Sequence, residues 1–493
     1  MAAKCTIRSM PVKVERQKVA SLGQARVAQQ IWARANLRKR LALLRRARHR
    51  IAATAEEIAR SVPCSQPGAL HRTLADTLAS EVLPLVEACR FLEREAEWIL
   101  APQRVSAHTR PFWLRRVNAE TIREPVGVVL IIAPANYPLF LPGVQVLQAL
   151  AAGNAVLWKP APGGSGAAEA LRDVLIGCGL DPALLQVLND STEAASEAID
   201  AGVDKVFLTG SASAGKAVLH HLAPHLTPAV MELSGCDAVF VLPGADPERT
   251  VAALIFGLRF NGSATCMAPR RLFLVGEHTE TLRKLLDQLK SLSPIPLPLA
   301  TRAQLAELFE NARRLGGSIL MEESSGALRY AVILRATPEM KAAQSDIFAP
   351  VLCILDVPNT DAAVNAHALC PYALTAAIFG PEAEARTLAS RLPVGMVLIN
   401  DLIVATADPR VAFGGRASSG FGLTRGREGL LEMTALKTVV TQRSRNLRSY
   451  RPTTPAHETF FAAYLQMVHA SRWRDRWSGM CRFFRATARL HRD

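Results

Sequence analysis

Three short segments of this chain carry residues whose types could do chemistry on a carbonyl carbon. Phe260–Ala268 holds a thiol, Cys266; Met231–Gly235 holds a carboxylate, Glu232; Pro134–Pro138 holds an amide, Asn136. A thiolate attacks a carbonyl and keeps the carbon as a covalent intermediate. A carboxylate in a poorly solvated place has a raised pKa and serves as general base toward the thiol or a water. An amide NH₂ beside the reacting carbon donates to the oxyanion, a contribution of roughly 3 kcal/mol. Singly, each has a plainer reading. A lone cysteine is usually an inert buried residue, Glu232 would pass for a strand-end acid, and Asn before Tyr-Pro is ordinary turn chemistry. Of the nine cysteines, only Cys266 has neighbours of this kind.

Together the three motifs, in this order and with these flanks, resemble the aldehyde dehydrogenase superfamily from about Gln29 to about Val440. Asn261, Ala268 and Arg270-Arg271 match the family's nucleophile segment, and Glu232-Leu233-Ser234-Gly235 matches its Glu-Leu-Gly-Gly signature. The resemblance implies that Cys266 attacks an aldehyde and that Asn136, with the backbone N–H of Cys266, steadies the oxyanion. Hydride then leaves to NAD or NADP, and Glu232 activates the water that releases a carboxylic acid. Relatives that hand the acyl group to coenzyme A typically lack this glutamate, so its presence favours hydrolysis. The segment Leu222–Leu233, with His225-Leu226-Thr227-Pro228, resembles the class 3 and fatty-aldehyde branch.

The same resemblance assigns a cofactor site. Lys159, before Pro160, matches the lysine that binds the adenosine ribose. Thr209, Gly210, Ser211 and Gly215 match the family's Phe-Thr-Gly-Ser loop, where glycines at a helix N-terminus suit a phosphate. Asp346 and Phe348 stand in Asp346-Ile347-Phe348-Ala349-Pro350, where the family usually has Glu-Ile-Phe-Gly-Pro, so the group holding the nicotinamide ribose is one methylene shorter. Where many NAD-preferring relatives carry a glutamate three residues after the lysine, this chain has Pro162, followed by Gly163-Gly164-Ser165-Gly166. That departure leaves the choice of NAD or NADP open. Ser263 and Ala264 replace a common Gly-Gln pair, and Cys236 a common lysine. No metal site is expected.

The elements that must position these groups are legible as an α/β fold. Leu41, Leu44, Ile51 and Ile58 recur at helical spacing within Glu15–Val62, and Ala69–Ile99 continues the pattern. The apolar run Gly127–Ile132 predicts a buried parallel strand. Strands and helices then alternate: Ala155–Trp158, helix 167–178, Leu185–Leu188, helix Thr192–Ala201, Lys205–Leu208 and helix Ala214–Leu222. This rhythm predicts a doubly wound parallel sheet. A second apolar alternation follows Asp246, with strands expected at Arg271–Val275, Ala331–Leu334, Val351–Leu355, Leu374–Phe379 and Met396–Ile399. The expected organisation is N-terminal helices of the cofactor domain (1–105), an oligomerisation hairpin (106–125), the NAD(P)-binding domain (126–235), a second α/β catalytic domain (236–430), an oligomerisation strand (431–443) and a basic aromatic extension (444–493). In the resemblance, the hairpin and the late strand correspond to the family's oligomerisation arm, which implies a homodimer or homotetramer.

Composition bounds the class. With 49% hydrophobic and 20% charged residues, the 493-residue chain reads as a globular protein. No apolar run is long enough for a spanning helix, and Met1–Met10 does not read as a secretory signal. Scattered cysteines suggest neither zinc nor a disulfide framework, so a reduced, cytoplasmic setting is the natural reading. The net charge of +15 sits at the ends: residues 1–60 carry fifteen Lys/Arg against three acids, and residues 441–493 eleven Arg against three acids. The remaining body is thus −5, and nothing but charge suggests a nucleic-acid binder. In the extension, Trp473, Trp477, Met480, Cys481, Phe484 and Ala488 fall three and four apart among arginines. Such a helix either packs its aromatic face on the protein or lies in an anionic membrane interface. Membrane contact would suit a lipophilic aldehyde. A non-catalytic subunit that keeps this fold is the alternative, suggested by Asp346, Ser263, Ala264 and Ala349. The intact set Cys266, Glu232, Asn136 and Lys159 argues against it.

Overall fold

The computed structural model describes residues 12–63, 72–444, 450 and 452–490. The expected helix over Ala69–Ile99 therefore begins outside the described residues. The long helical pattern before Val62 is three helices: α1 (Val12–Arg34), α2 (Leu37–Ala53) and a short turn, Ala55–Arg60. Asn36 starts α2 by accepting a hydrogen bond from the backbone N–H of Arg38. Helix α3 (Leu83–Ile99) buries Leu85, Ala88, Cys89, Leu92 and Ala96 along one face.

The first sheet holds β1 (Val128–Ile132), β2 (Ala155–Lys159), β3 (Leu185–Val187), β4 (Lys205–Gly210) and β5 (Ala229–Leu233). Their spatial order is β5-β4-β1-β2-β3, all parallel. Every residue of β1 and β2 is buried, as a strand covered by helices on both faces requires. Between them run α4 (Phe140–Ala152), α5 (Ser165–Gly177), α6 (Thr192–Asp200) and α7 (Ala212–Leu222). A short segment from far along the chain, Gly420–Phe421, adds to the open edge of β5 in antiparallel register, Gly420 opposite Glu232. Gly420 has φ +100°, and a Cβ there would lie 1.9 Å from the carbonyl oxygen of Met231, so only glycine fits.

The second sheet begins earlier than its alternation suggests. β6 (Asp237–Val241) follows β5 after a three-residue turn. It merges in the sequence with the apolar run before it, which hides the break. β6 pairs in parallel with β7 (Pro269–Val275), and β7 with the strand Val351–Val357. The strands Thr375–Phe379 and Met396–Ile399 extend the other side, and Ala327–Leu334 is flanked by two antiparallel strands, Ile295–Pro296 and Ser318–Ser324. Alternate residues feed opposite cores. Phe240 and Phe273 pack on one face with Leu308 and Ile378, whereas Val239 and Leu272 pack on the other with Leu254 and Phe379. Both sheets are thus filled on both sides, and the fold is the expected two-domain α/β architecture.

The described residues form two compact units, one within 1–103 and 121–437 and the other within 104–120 and 438–493. The second contains the helical hairpin α8 (Pro455–His469) and α9 (Trp473–Leu490). Gly479 allows the helices to meet, since a Cβ there would lie 2.4 Å from the backbone nitrogen of Met467. Phe483 seals the seam against Phe460 and Tyr464.

Candidate active site

Three loops converge at the carboxyl edge of the first sheet. Asn136 follows β1, Glu232 is the fourth residue of β5, and Cys266 precedes β7 by two residues. The turn after Glu232 touches the nucleophile loop: a Cβ on Gly235 would stand 2.7 Å from the carbonyl oxygen of Cys266. The glycine in this motif is therefore what lets the carboxylate strand and the thiol segment come together. Cys266, Glu232 and Asn136 line a single cavity of about 350 Å³, together with Thr209, Gly210, Ser211, Asp346 and Phe348. Ser234 of the carboxylate motif, with Leu141, Thr301 and Gln304, which the sequence did not single out, completes much of the wall.

The loop before Cys266 is strained and heavily tied down. Asn261, Gly262 and Ser263 adopt φ of +51°, +59° and +62°, a left-handed run that costs non-glycine residues about 1 kcal/mol each. Asn261 donates its side-chain amide to the carbonyls of Asn136 (2.9 Å) and Ala264 (3.2 Å). Ser263 donates to the carbonyl of Ala349 at 3.0 Å, and the buried Arg270 donates to both the hydroxyl and the carbonyl of Ser263. Behind this lies a buried ion pair, Arg72 with Glu81. Arg72 reaches the Asn261 amide oxygen at 3.4 Å, and Glu81 accepts from the backbone N–H groups of Leu139 and Phe140 at the start of α4. That helix end suits a carboxylate.

The electrostatics set the protonation states. Burial, then the neighbouring Glu232 and Asp237, pushes the Cys266 thiol well above its ordinary pKa, with Arg425 opposing. Burial likewise raises Glu232, while the Arg425 guanidinium and a hydrogen bond from Thr424 pull it down. The Thr424 hydroxyl donates to Glu232 Oε2 at 2.7 Å, and the buried Oε1 has no partner among the described residues. That oxygen is placed to accept a proton from a thiol or from a solvent water. The Asn136 amide nitrogen donates to the carbonyl of Ala264 at 3.0 Å. One of its two hydrogens is committed to holding the loop, which leaves one for an oxyanion. Burial raises Asp346, with Ser234 and Arg270 acting against it, and its Oδ1 is also buried without a partner among the described residues.

Two residues with expected cofactor roles stand apart from the cavity wall. Lys159 ends β2 and is 7% exposed; burial lowers its pKa, with Asp190 and Glu193 supplying compensating charge. Gly215 lies in the first turns of α7, where a Cβ would come within 2.7 Å of Leu233, so its role is close helix-to-strand packing. The remainder fits a dinucleotide: Thr209, Gly210 and Ser211 line the cavity at the N-terminus of α7, whose cap is the Ser211 hydroxyl accepting from Ala214 N–H. Arg425 and Thr424 went unremarked in the sequence. They stand in the glycine-rich run Ser419–Gly426 and carry no local signal of their own. Asp190 also escaped notice: its carboxylate accepts the Gly163 N–H at 2.9 Å, beside the loop where relatives place their glutamate.

A doubly wound sheet with a thiol, a carboxylate and an amide lining one cleft places the chain in the α/β class. The profile of the aldehyde dehydrogenase family matches residues 3–439, and the chain belongs to that family. It is 29% identical over 388 residues to a 4,4'-diapolycopene aldehyde oxidase of Methylomonas, covering 75% of this chain and 72% of that one. A succinate semialdehyde dehydrogenase [NAD(P)+] of Escherichia coli is 29% identical over 428 residues, covering 83% and 89%. Among solved structures, a Staphylococcus aureus betaine aldehyde dehydrogenase in complex with NAD+ superposes with a TM-score of 0.79 at 22% identity, covering 89% of this chain and 92% of that one.

Proposed function

We propose that this protein oxidises an aldehyde to the carboxylic acid with NAD or NADP, through a covalent intermediate on Cys266. The observation that carries this reading is the shared cavity of Cys266, Glu232 and Asn136 with Thr209, Gly210, Ser211, Asp346 and Phe348. The thiol, protonated at rest because its pKa is raised, gives up its proton as its sulfur bonds to the aldehyde carbon. Glu232, buried with one oxygen unpartnered among the described residues, is the acceptor for that proton and later the base for hydrolytic water. The remaining Asn136 hydrogen and the Cys266 backbone N–H stabilise the oxyanion. A bound nicotinamide supplies the hydride acceptor; Thr209, Gly210, Ser211 and Lys159 would hold the adenosine and phosphate half, and Asp346 and Phe348 the other end. The named relatives act on aldehydes, and one is named for both cofactors.

Absorbance of the reduced cofactor during turnover of a medium-chain aldehyde is the test. Cys266→Ala is expected to abolish turnover, and Glu232→Gln to cut kcat by 10²–10⁴-fold, the usual weight of a general base. Turnover retained by Cys266→Ala would refute the nucleophile and revive the reading as a non-catalytic subunit.

Two finer elements belong to this proposal. The strand Thr434–Gln442 is exposed along most of its length, including Leu436 and Val440, and suits pairing with a second copy, as the family's arm does. Val440→Asp should therefore lower the mass found by light scattering from dimer or tetramer to monomer. The α8–α9 hairpin suits an anionic membrane surface near a cytoplasmic enzyme with a lipophilic substrate. Its seam uses Phe460 and Phe483, yet Trp473, Trp477 and Phe484 stay exposed. No helix among the described residues is long and apolar enough to cross a membrane.

A further inference from the structure

The geometry points to a second site, unconnected with the thiol chemistry, at the far end of α7. We propose that Asp200, His221 and His225 bind one divalent transition-metal ion, with zinc the natural fit. Asp200 is the last residue of α6, His221 sits in the final turn of α7, and His225 closes the 3-10 turn Ala223–His225 that follows. Both imidazoles aim Nε2 at the same carboxylate oxygen: His221 at 2.9 Å and His225 at 3.3 Å from Asp200 Oδ1. All three ligand atoms lie within 4.8 Å of one another.

These separations suit a tetrahedral ion. Two ligands at zinc bond lengths of 2.0–2.2 Å, subtending a tetrahedral angle, stand about 3.4 Å apart. The rings are splayed, with centroids 6.2 Å apart and planes at 42°, so they converge by their nitrogen edges rather than by stacking. Without a metal, the two rings compete for one oxygen as hydrogen-bond donors. With a metal, all three atoms serve as acceptors toward one cation, and each side chain remains partly open so that water can complete the shell. Two imidazoles and one carboxylate favour zinc and its neighbours over calcium or magnesium, which prefer all-oxygen shells. The site would be structural. It ties the C-terminal end of α7, whose N-terminus carries Ser211 at the cofactor cavity, to the end of α6.

The test uses the full chain carrying Cys266→Ala, so that the nucleophile cannot capture metal, after dialysis against a chelator. Calorimetric titration with zinc should show one equivalent binding at micromolar or lower dissociation constant. Cobalt should give the visible bands of a tetrahedral nitrogen–oxygen site without thiolate charge transfer. His221→Ala and His225→Ala, both at accessible positions, should each weaken binding by about a hundredfold. Asp200→Asn should weaken it less while leaving circular dichroism unchanged. Absence of saturable binding, a cobalt spectrum with thiolate bands, or titrations unaltered in both histidine variants would each overturn the site. None of these readouts depends on aldehyde turnover.

Discussion

At the scale of residues, the candidate base is set by a contest between burial and a single guanidinium. Arg425 is 5% exposed, donates to the carbonyl of Thr406 at 2.6 Å and lies 4.3 Å above the Phe413 ring. Its backbone, at φ +60° and ψ 172°, occupies a region almost reserved for glycine, and such strain survives only where the surroundings hold it. A buried cation that lowers the pKa of Glu232 keeps more of the carboxylate ionised at neutral pH. Because the folded-state pKa of Glu232 is raised and the base must be deprotonated, activity rises with pH through that pKa. Removing the guanidinium moves the limb higher still. Arg425→Met is expected to shift the acid limb of the kcat profile upward, with the activity lost on the acid side recovering in alkaline buffer. A profile displaced downward, or one lowered equally at every pH, would show that Arg425 acts through packing instead. Sequence made Cys266, Glu232 and Asn136 legible because each sits in a short contiguous motif. Arg425 and Thr424 reach Glu232 across nearly two hundred residues, and no local pattern encodes that approach.

At the scale of elements, what the sequence shows best is what strands and helices state locally. The buried apolar runs of β1, β2 and β4 and the alternating helices between them are period and composition, and they were legible to within a few residues. Pairing between distant segments was not. Gly420–Phe421 closing the edge of β5, the β6 strand hidden behind Gly235 and the antiparallel Ile295–Pro296 strand depend on register between separated segments, whereas Ser318–Ser324 joins Ala327–Leu334 through a tight local hairpin. The same blindness affects the cofactor loop. Pro162 in place of a glutamate reads as a site without an acid, yet the loop after β3 brings Asp190 to Gly163 and places its charge near Lys159. A carboxylate beside Lys159, the lysine proposed to hold the adenosine ribose, disfavours a 2′-phosphate. Asp190→Asn keeps an acceptor for the Gly163 N–H but removes the charge. The ratio of kcat/KM with NAD to that with NADP should therefore fall about tenfold, near 1.4 kcal/mol of discrimination. An unchanged ratio would mean that the adenosine ribose is held elsewhere.

At the scale of the whole molecule, charge and aromatic exposure point the same way. Residues 441–493 carry eleven Arg and three acids, a net of +8 by difference, while residues 61–440 are −5. On α9 the exposed Trp473, Trp477, Cys481, Phe484 and Ala488 fall within one narrow stripe of the helical wheel, because their spacings of four, four, three and four return to the same side. Gly479, Phe483 and Ala486 occupy another side, the seam with α8, and Arg474, Arg482, Arg485 and Arg489 border the stripe. A helix hairpin that has already satisfied its inner face has no folding reason to display two tryptophans outward, whereas an interfacial helix does. Near an anionic surface each arginine contributes about 1 kcal/mol, and raising salt from 0.1 M to 1 M contracts the Debye length from about 10 to 3 Å. Vesicles with anionic lipid should therefore float the full chain in low salt and much less in high salt, and a chain ending at Arg443 should stay at the bottom in both. Trp473→Ser with Trp477→Ser should reduce flotation while leaving the salt dependence intact, since it removes burial and not charge. Equal flotation of the full and shortened chains would assign the stripe to another role and leave turnover of soluble aldehydes, in either chain, the measure of the enzyme.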